Sequence, residues 1–146
     1  MYIPTDGKTH IHFELDANHL KPYLGFGLNG TATINWGDGS AEEIITGNNV
    51  RTVLFTQHEY LLPGLKEITI AISNDGHLRI QKYSNVFSLL TGSDKTQSSV
   101  YKSFLIAVEL STGVELDNAF TGCDNLKTIT MPMEMVFDLF TDCTSL

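Results

Sequence analysis

Between Thr9 and Leu15 the chain alternates strictly, with Ile11, Phe13 and Leu15 on one face and His10, His12 and Glu14 on the other. Successive strand side chains point to opposite faces of a sheet, so this period of two predicts a half-buried β-strand. Asp16, Ala17 and Asn18 end the pattern. The next apolar stretch, Tyr23 to Leu28, is interrupted by Gly25 and Gly27, which predicts an irregular or bulged strand. Asn29-Gly30 is a turn signal, and beyond it Thr31, Thr33 and Asn35 alternate with Ala32, Ile34 and Trp36 as another strand. Gly37-Asp38-Gly39-Ser40 then predicts a tight turn, because glycine tolerates positive φ and aspartate accepts bonds from nearby amides.

Further strands are predicted at Glu42–Thr46, Val50–Thr56 and Lys66–Ser73. Gly47-Asn48-Asn49, Pro63-Gly64 and Asn74-Asp75-Gly76 supply the turns. Short strands at this spacing, with no convincing amphipathic helix before residue 80, predict an all-β sandwich. His77 to Ile80 fits a strand, Tyr83 to Leu90 fits helix and strand equally, and polar Thr91 to Ser99 reads as a loop. Alternation resumes over Val100 to Leu110. The organisation expected is therefore a sandwich over residues 1–80, a transition over 81–100 and a different unit over 101–146.

That last unit is defined by self-similarity. Ala119-Phe120-Thr121-Gly122-Cys123-Asp124-Asn125-Leu126 aligns with Leu139-Phe140-Thr141-Asp142-Cys143-Thr144-Ser145-Leu146, sharing Phe, Thr, Cys and Leu at an offset of about 20 residues. Upstream, Leu105, Val108 and Leu110 match Leu126, Ile129 and Met131 at an offset of about 21. The period predicts a short solenoid, since one repeat cannot cover its own apolar face and must stack on the next. Two units are fewer than the roughly three such an array needs. Leu146 stands where a third strand would begin, so the array is expected to be incomplete, to lean on the sandwich or to self-associate.

Residues 119–132, from Ala119-Phe120 through Gly122-Cys123, Leu126 and Ile129 to Pro132, resemble the unit of BspA-type leucine-rich repeats. The second unit is looser, with Leu139 for the usual Ala and Asp142 for the usual Gly. The resemblance implies a surface protein concerned with adhesion. In the first half, Ile34-Asn35-Trp36-Gly37-Asp38-Gly39-Ser40, then His58-Glu59-Tyr60 and Pro63-Gly64, resemble the PKD-type immunoglobulin-like domain over roughly residues 9–73. Trp36 directly precedes Gly37, a shortened form of the family's element. The resemblance implies that Trp36 anchors the core, Asp38 organises its turn and the Tyr60 hydroxyl bonds at a strand corner. Gly37, Gly39, His58 and Gly64 complete the motif.

Composition narrows the function classes. Seventeen acidic residues against nine Lys and Arg give a net charge of −8, which argues against nucleic acid, whose backbone is bound by clustered positive charge. An apolar fraction of 42% suffices for a core, and no run approaches the roughly 20 residues that span a bilayer. The N-terminal residues Met1 to Asp6 do not read as a signal peptide. Cys123 and Cys143, at equivalent repeat positions, are expected to stack as small buried hydrophobes, with a disulfide possible but not required. His10 and His12 share a strand face without an apparent third metal ligand, and no acidic loop set surrounds Asp38, so no metal or cofactor is expected. Glu42, Glu43, Glu59 and Glu67 read as solvated strand positions, and no acid–base pair, phosphate-binding loop or nucleophile elbow is recognisable. The expectation is a non-catalytic extracellular or cell-surface module that binds a protein or glycan. The alternative is a structural component of a virion or appendage.

Overall fold

The alternation of Thr9–Leu15 becomes strand β1, with Ile11, Phe13 and Leu15 buried, Glu14 exposed, and His10 and His12 between. A computed structural model describes residues 6–81, 90–91, 104–111, 113–117 and 126–130. The described residues are mainly β and contain no helix. After β1 come β2 (Tyr23–Asn35), β3 (Glu43–Gln57), β4 (Gly64–Ile72), β5 (His77–Gln81), β6 (Leu90–Thr91), β7 (Leu105–Glu109), β8 (Val114–Asp117) and β9 (Thr128–Thr130). Hydrogen bonding links them in the order β8-β5-β2-β4-β1-β7-β9, with β3 and β6 also pairing to β2.

Strand β2 organises this sheet because it changes partners along its length. Tyr23 and Leu24 pair with β6, Gly27 to Asn29 with β5, and Ala32 to Asn35 with β4, while β3 follows it from Tyr23 to Ile34. A strand shared in this way carries a sheet around a corner, as in sandwiches whose strands pass from one layer to the other. The inward side chains of all the major strands merge in one cluster that includes Phe13, Phe26, Ile34, Trp36, Tyr60, Ile68, Ile70 and Leu78. Removing each large apolar side chain from water contributes roughly 1.5–3 kcal/mol.

Two expected turns are corrected. Asn29-Gly30 and Gly47-Asn48-Asn49 lie inside β2 and β3, directly opposite one another, with Asn29 paired to Asn48 and Gly30 to Gly47. Their turn chemistry relieves a local irregularity instead of reversing the chain. Gly27 pairs with Val53 but Leu28 with Asn49, so Val50, Arg51 and Thr52 bulge from the ladder. The bulge requires glycine at position 27: a Cβ there would overlap the Val50 carbonyl. Pairing along both strands outweighs the local preference of an Asn-Gly step. By contrast, Asn74 and Asp75 do form the turn expected of them, with Asp75 at φ 64° and the Gly76 amide bonded to the Ser73 carbonyl at 2.9 Å.

Beyond residue 101 the described strands join the same sheet. Antiparallel pairing sets Ile11 of β1 beside Val108 of β7, and Val108 is in turn beside Ile129 of β9. The β7–β9 pair is parallel, and its partners (Ala107 with Thr128, Val108 with Ile129, Glu109 with Thr130) stand 21 residues apart. Bonds from Lys127 N to Ile106 O and from Leu110 N to Thr130 O, each 2.7 Å, extend that ladder at both ends. Leu105 and Leu126 are both fully buried. Buried Thr9 and Ser111 tie the two regions further, their hydroxyls 3.0 Å apart and the Ser111 amide donating to Thr9 Oγ1 at 3.1 Å. Phe120, Cys123, Phe140, Cys143 and Leu146 lie outside the described residues, as does most of the expected 81–100 transition.

Candidate functional site

The two motif elements of the first half are far apart in sequence and adjacent in space. Strand β2 ends at Asn35, whose side-chain oxygen accepts the Gly37 amide at 2.9 Å and turns the chain. Gly37 has φ +81°, and a Cβ on it would meet the Glu67 carbonyl, so the turn presses against β4. Asp38 then faces back across the turn. Its Oδ1 accepts the Ser40 amide at 3.1 Å and the Ser40 hydroxyl at 2.5 Å, while its Oδ2 lies 2.7 Å from His58 Nε2. The Ser40 hydroxyl first, and His58 next, hold the Asp38 carboxyl well below the usual carboxylate range.

The segment after β3 brings the other half. His58 N bonds to Pro22 O at 3.3 Å and Tyr60 N to Leu20 O at 2.8 Å, which fix this segment against the approach to β2. The imidazole of His58 lies flat on the Trp36 indole, with ring centroids 4.8 Å apart and planes at 13°. Tyr60 meets His58, Phe13 and Trp36 edge-on at 4.9, 6.0 and 6.5 Å. Its hydroxyl donates to the Trp36 carbonyl at 2.7 Å in a buried setting. Burial, and then the negative charge of Asp38, push the Tyr60 phenol far above its ordinary ionisation range. The Lys66 ammonium sits over this ring, 5.3 Å from its centroid. Gly64, at φ +112°, begins β4 just beyond the corner.

Glu43 belongs to this assembly, which its sequence context does not reveal. Its carboxylate accepts from Trp36 Nε1 at 3.3 Å and from the Thr56 hydroxyl at 2.5 Å. The expectation that Glu43 is merely solvated is thus corrected; its partners are 7 and 13 residues away, Trp36 just past the end of β2 and Thr56 near the far end of β3 itself. Glu67 is exposed on its strand face as expected, and its carboxylate lies 3.3 Å from ring nitrogens of both His10 and His12.

Chemically, the Trp36–Tyr60 assembly is a lock. A serine nucleophile needs a base within reach, but the Ser40 hydroxyl is bonded to Asp38, while His58 contacts the opposite oxygen of the same carboxylate. This connects serine, aspartate and histidine in the wrong order for a Ser–His–Asp relay. The indole, phenol and carboxylates are all engaged in internal bonds. Beside the lock, Leu61, Leu62 and Leu65 are 89%, 69% and 74% exposed, an apolar edge flanking Pro63-Gly64. No family model matches this chain, and no curated protein or solved structure is significantly similar to it.

Proposed function

We propose that the chain is a non-catalytic binding or adhesion module acting outside the cell. In this reading a PKD-type immunoglobulin-like sandwich carries BspA-type leucine-rich repeats and presents their surface to a protein or glycan. The observation that carries the reading is the parallel β7–β9 pair: its partners stand 21 residues apart, the offset at which Leu105, Val108 and Leu110 match Leu126, Ile129 and Met131. Repeats of a solenoid stack in this way because each covers the apolar face of its neighbour. The sandwich part is supported by the meeting of Trp36, Asp38, His58 and Tyr60, two motif halves that bond to each other. Exposed Leu61, Leu62 and Leu65 suit a protein that meets a partner, since clustered surface apolar groups mark contact sites.

Function in such an array resides in outward side chains, not in the fold. Thr128 is the exposed residue of β9 and is the position to perturb. The test is binding of the intact protein to a glycan array and to purified extracellular matrix proteins, repeated with Thr128→Arg. A ligand whose affinity falls about tenfold or more in the variant, with an unchanged melting temperature, is the expected result. Binding that ignores Thr128→Arg would remove the repeat face from the proposal, and a blank in both screens would count against the module itself.

A further inference from the structure

Just past the Tyr60 corner, three leucines are turned to water. Leu61, Leu62 and Leu65 are each at least 69% exposed, and none packs against the core cluster. A lone surface leucine calls for no explanation, but three within five residues form a continuous apolar surface. The backbone that carries them is fixed. Tyr60 N bonds to Leu20 O at 2.8 Å, the Tyr60 hydroxyl bonds to Trp36 O at 2.7 Å, and β4 opens with Gly64 paired to Leu15. Side chains held on such a base give up little backbone freedom on meeting a partner, which favours association.

Charge selects the occupant. The β1–β4 register sets Glu14 directly opposite Leu65, and residues so paired share one face of the sheet. Both are exposed, and the Glu14 carboxylate has no ion-pair partner among the described residues. Glu67 follows Leu65 on the same face of β4, Asp16 follows the Leu15 that pairs with Gly64, and Glu59 precedes the leucines. The lysines of these stretches are drawn elsewhere: Lys21 lies 3.5 Å from Glu59, and Lys66 sits over the Tyr60 ring. Residues 14–22 and 58–67 thus carry four carboxylates against two lysines, in a chain of net charge −8. An anionic membrane or a second copy of the chain would bring more negative charge to this surface and be repelled. A segment bearing Lys or Arg supplies the charge that is missing.

We propose that Leu61, Leu62, Leu65 and Glu14 form a docking surface for a basic amphipathic protein segment, which lays its apolar stripe on the leucines and a Lys or Arg on Glu14. An amphipathic helix gathers apolar side chains along one face and can border them with cations, the complement of leucines bordered by carboxylates. Apolar burial supplies most of the affinity. The contact with Glu14 sets orientation and partner choice, because charges at the margin of an interface act on specificity and salt dependence more than on strength. The inference rests on the reading of the chain as a binding module, but its surface lies at the β1–β4 end beside Gly64 and not on the repeats.

The experiment titrates the intact protein, followed by amide NMR, with a synthetic helical peptide that has leucine on one face and lysine on the other. A matched leucine–glutamate peptide and phosphatidylcholine vesicles, with and without phosphatidylglycerol, are run beside it. The lysine peptide should shift the amides of Glu14 and residues 59–67, bind at least about tenfold more tightly than the glutamate peptide, and weaken as salt rises. Leu61→Ser combined with Leu62→Ser should cost about tenfold or more in affinity with an unchanged melting temperature. Glu14→Gln should cost about threefold and flatten the salt dependence. Shifts centred elsewhere, equal binding of the two peptides, or full affinity in the leucine variant would overturn the proposal. Vesicle binding that the leucine variant loses would overturn it in favour of lipid, and a dimer in light scattering that the same variant dissolves would overturn it in favour of a second copy. Failure here, with ligand binding through Thr128 intact, removes this surface alone and leaves the repeat reading standing.

Discussion

Replacing Tyr60 by phenylalanine isolates one atom of the lock. Tyr60 is 1% exposed, and its ring contacts with Phe13, Trp36 and His58 survive the change. What disappears is the 2.7 Å bond from the hydroxyl to the Trp36 carbonyl. A buried acceptor deprived of its donor costs about 1–3 kcal/mol, more than the roughly 1 kcal/mol net value of an ordinary hydrogen bond. With a urea slope of about 1–3 kcal/mol per molar, the midpoint of unfolding should drop by about 1 M with the slope unchanged. Trp36→Ala calibrates the scale, because it also deletes the packing of a side chain 2% exposed and should cost about 3–5 kcal/mol. The phenylalanine variant should also lose part of the alkaline instability. The raised pKa of Tyr60 means stability is lost as pH climbs past the ordinary tyrosine value of 10.0, and phenylalanine has nothing to ionise. A midpoint shift below about 0.2 M for Tyr60→Phe, or a cost below about 1 kcal/mol for Trp36→Ala, would refute the reading of this corner as a stabilising lock.

Two further outcomes follow from the same geometry. Gly27→Ala forces a Cβ into the Val50 carbonyl, so it should cost about 3 kcal/mol or more, read as a lowered melting temperature or loss of soluble protein; a melting temperature within about 2 °C of the original would show that the bulge shifts at little cost. Asp38 is depressed by Ser40 and His58, so its contribution is present above 3.8 and is lost as pH falls toward the folded value. Between about pH 5 and pH 2.5 the original protein should therefore lose urea resistance more steeply than Asp38→Asn, and parallel losses would show that these bonds do not hold the carboxylate in solution.

What the sequence makes legible here is local. The bounds of β1 match its alternation at both ends, because each outward histidine and each inward apolar residue reports on the same half-buried surface. Trp36 and Tyr60 stand out as residue types whose size and single polar atom suit a buried corner, and both are buried. The long ribbon of β2 and β3 is not legible, because Asn29-Gly30 and Gly47-Asn48-Asn49 each carry turn chemistry when read alone. Only their mutual alignment, a non-local fact, turns them into a paired irregularity. The role of Glu43 is hidden for the same reason: a carboxylate on a strand looks solvated until the distant residues folded against it, Trp36 and Thr56, are known. Lys66–Ser73 reads as a strand, but its place between β1 and β2 is again a non-local fact.

The strand order also bears on how the chain is made. Residues 9–81 supply the contiguous run β5-β2-β4-β1, whereas the strands that flank it, β8 beside β5 and β7 with β9 beside β1, come from residues after 104. A nascent chain that has emerged only as far as β5 leaves the outer margins of β5 and β1 unpaired, each a template for another molecule's backbone. The later segment closes both, one in parallel and one in antiparallel fashion. Shortening the chain before β7 would thus leave the β1 and β5 margins open and prone to aggregation, and the C-terminal strands serve as shields during synthesis as well as members of the finished structure.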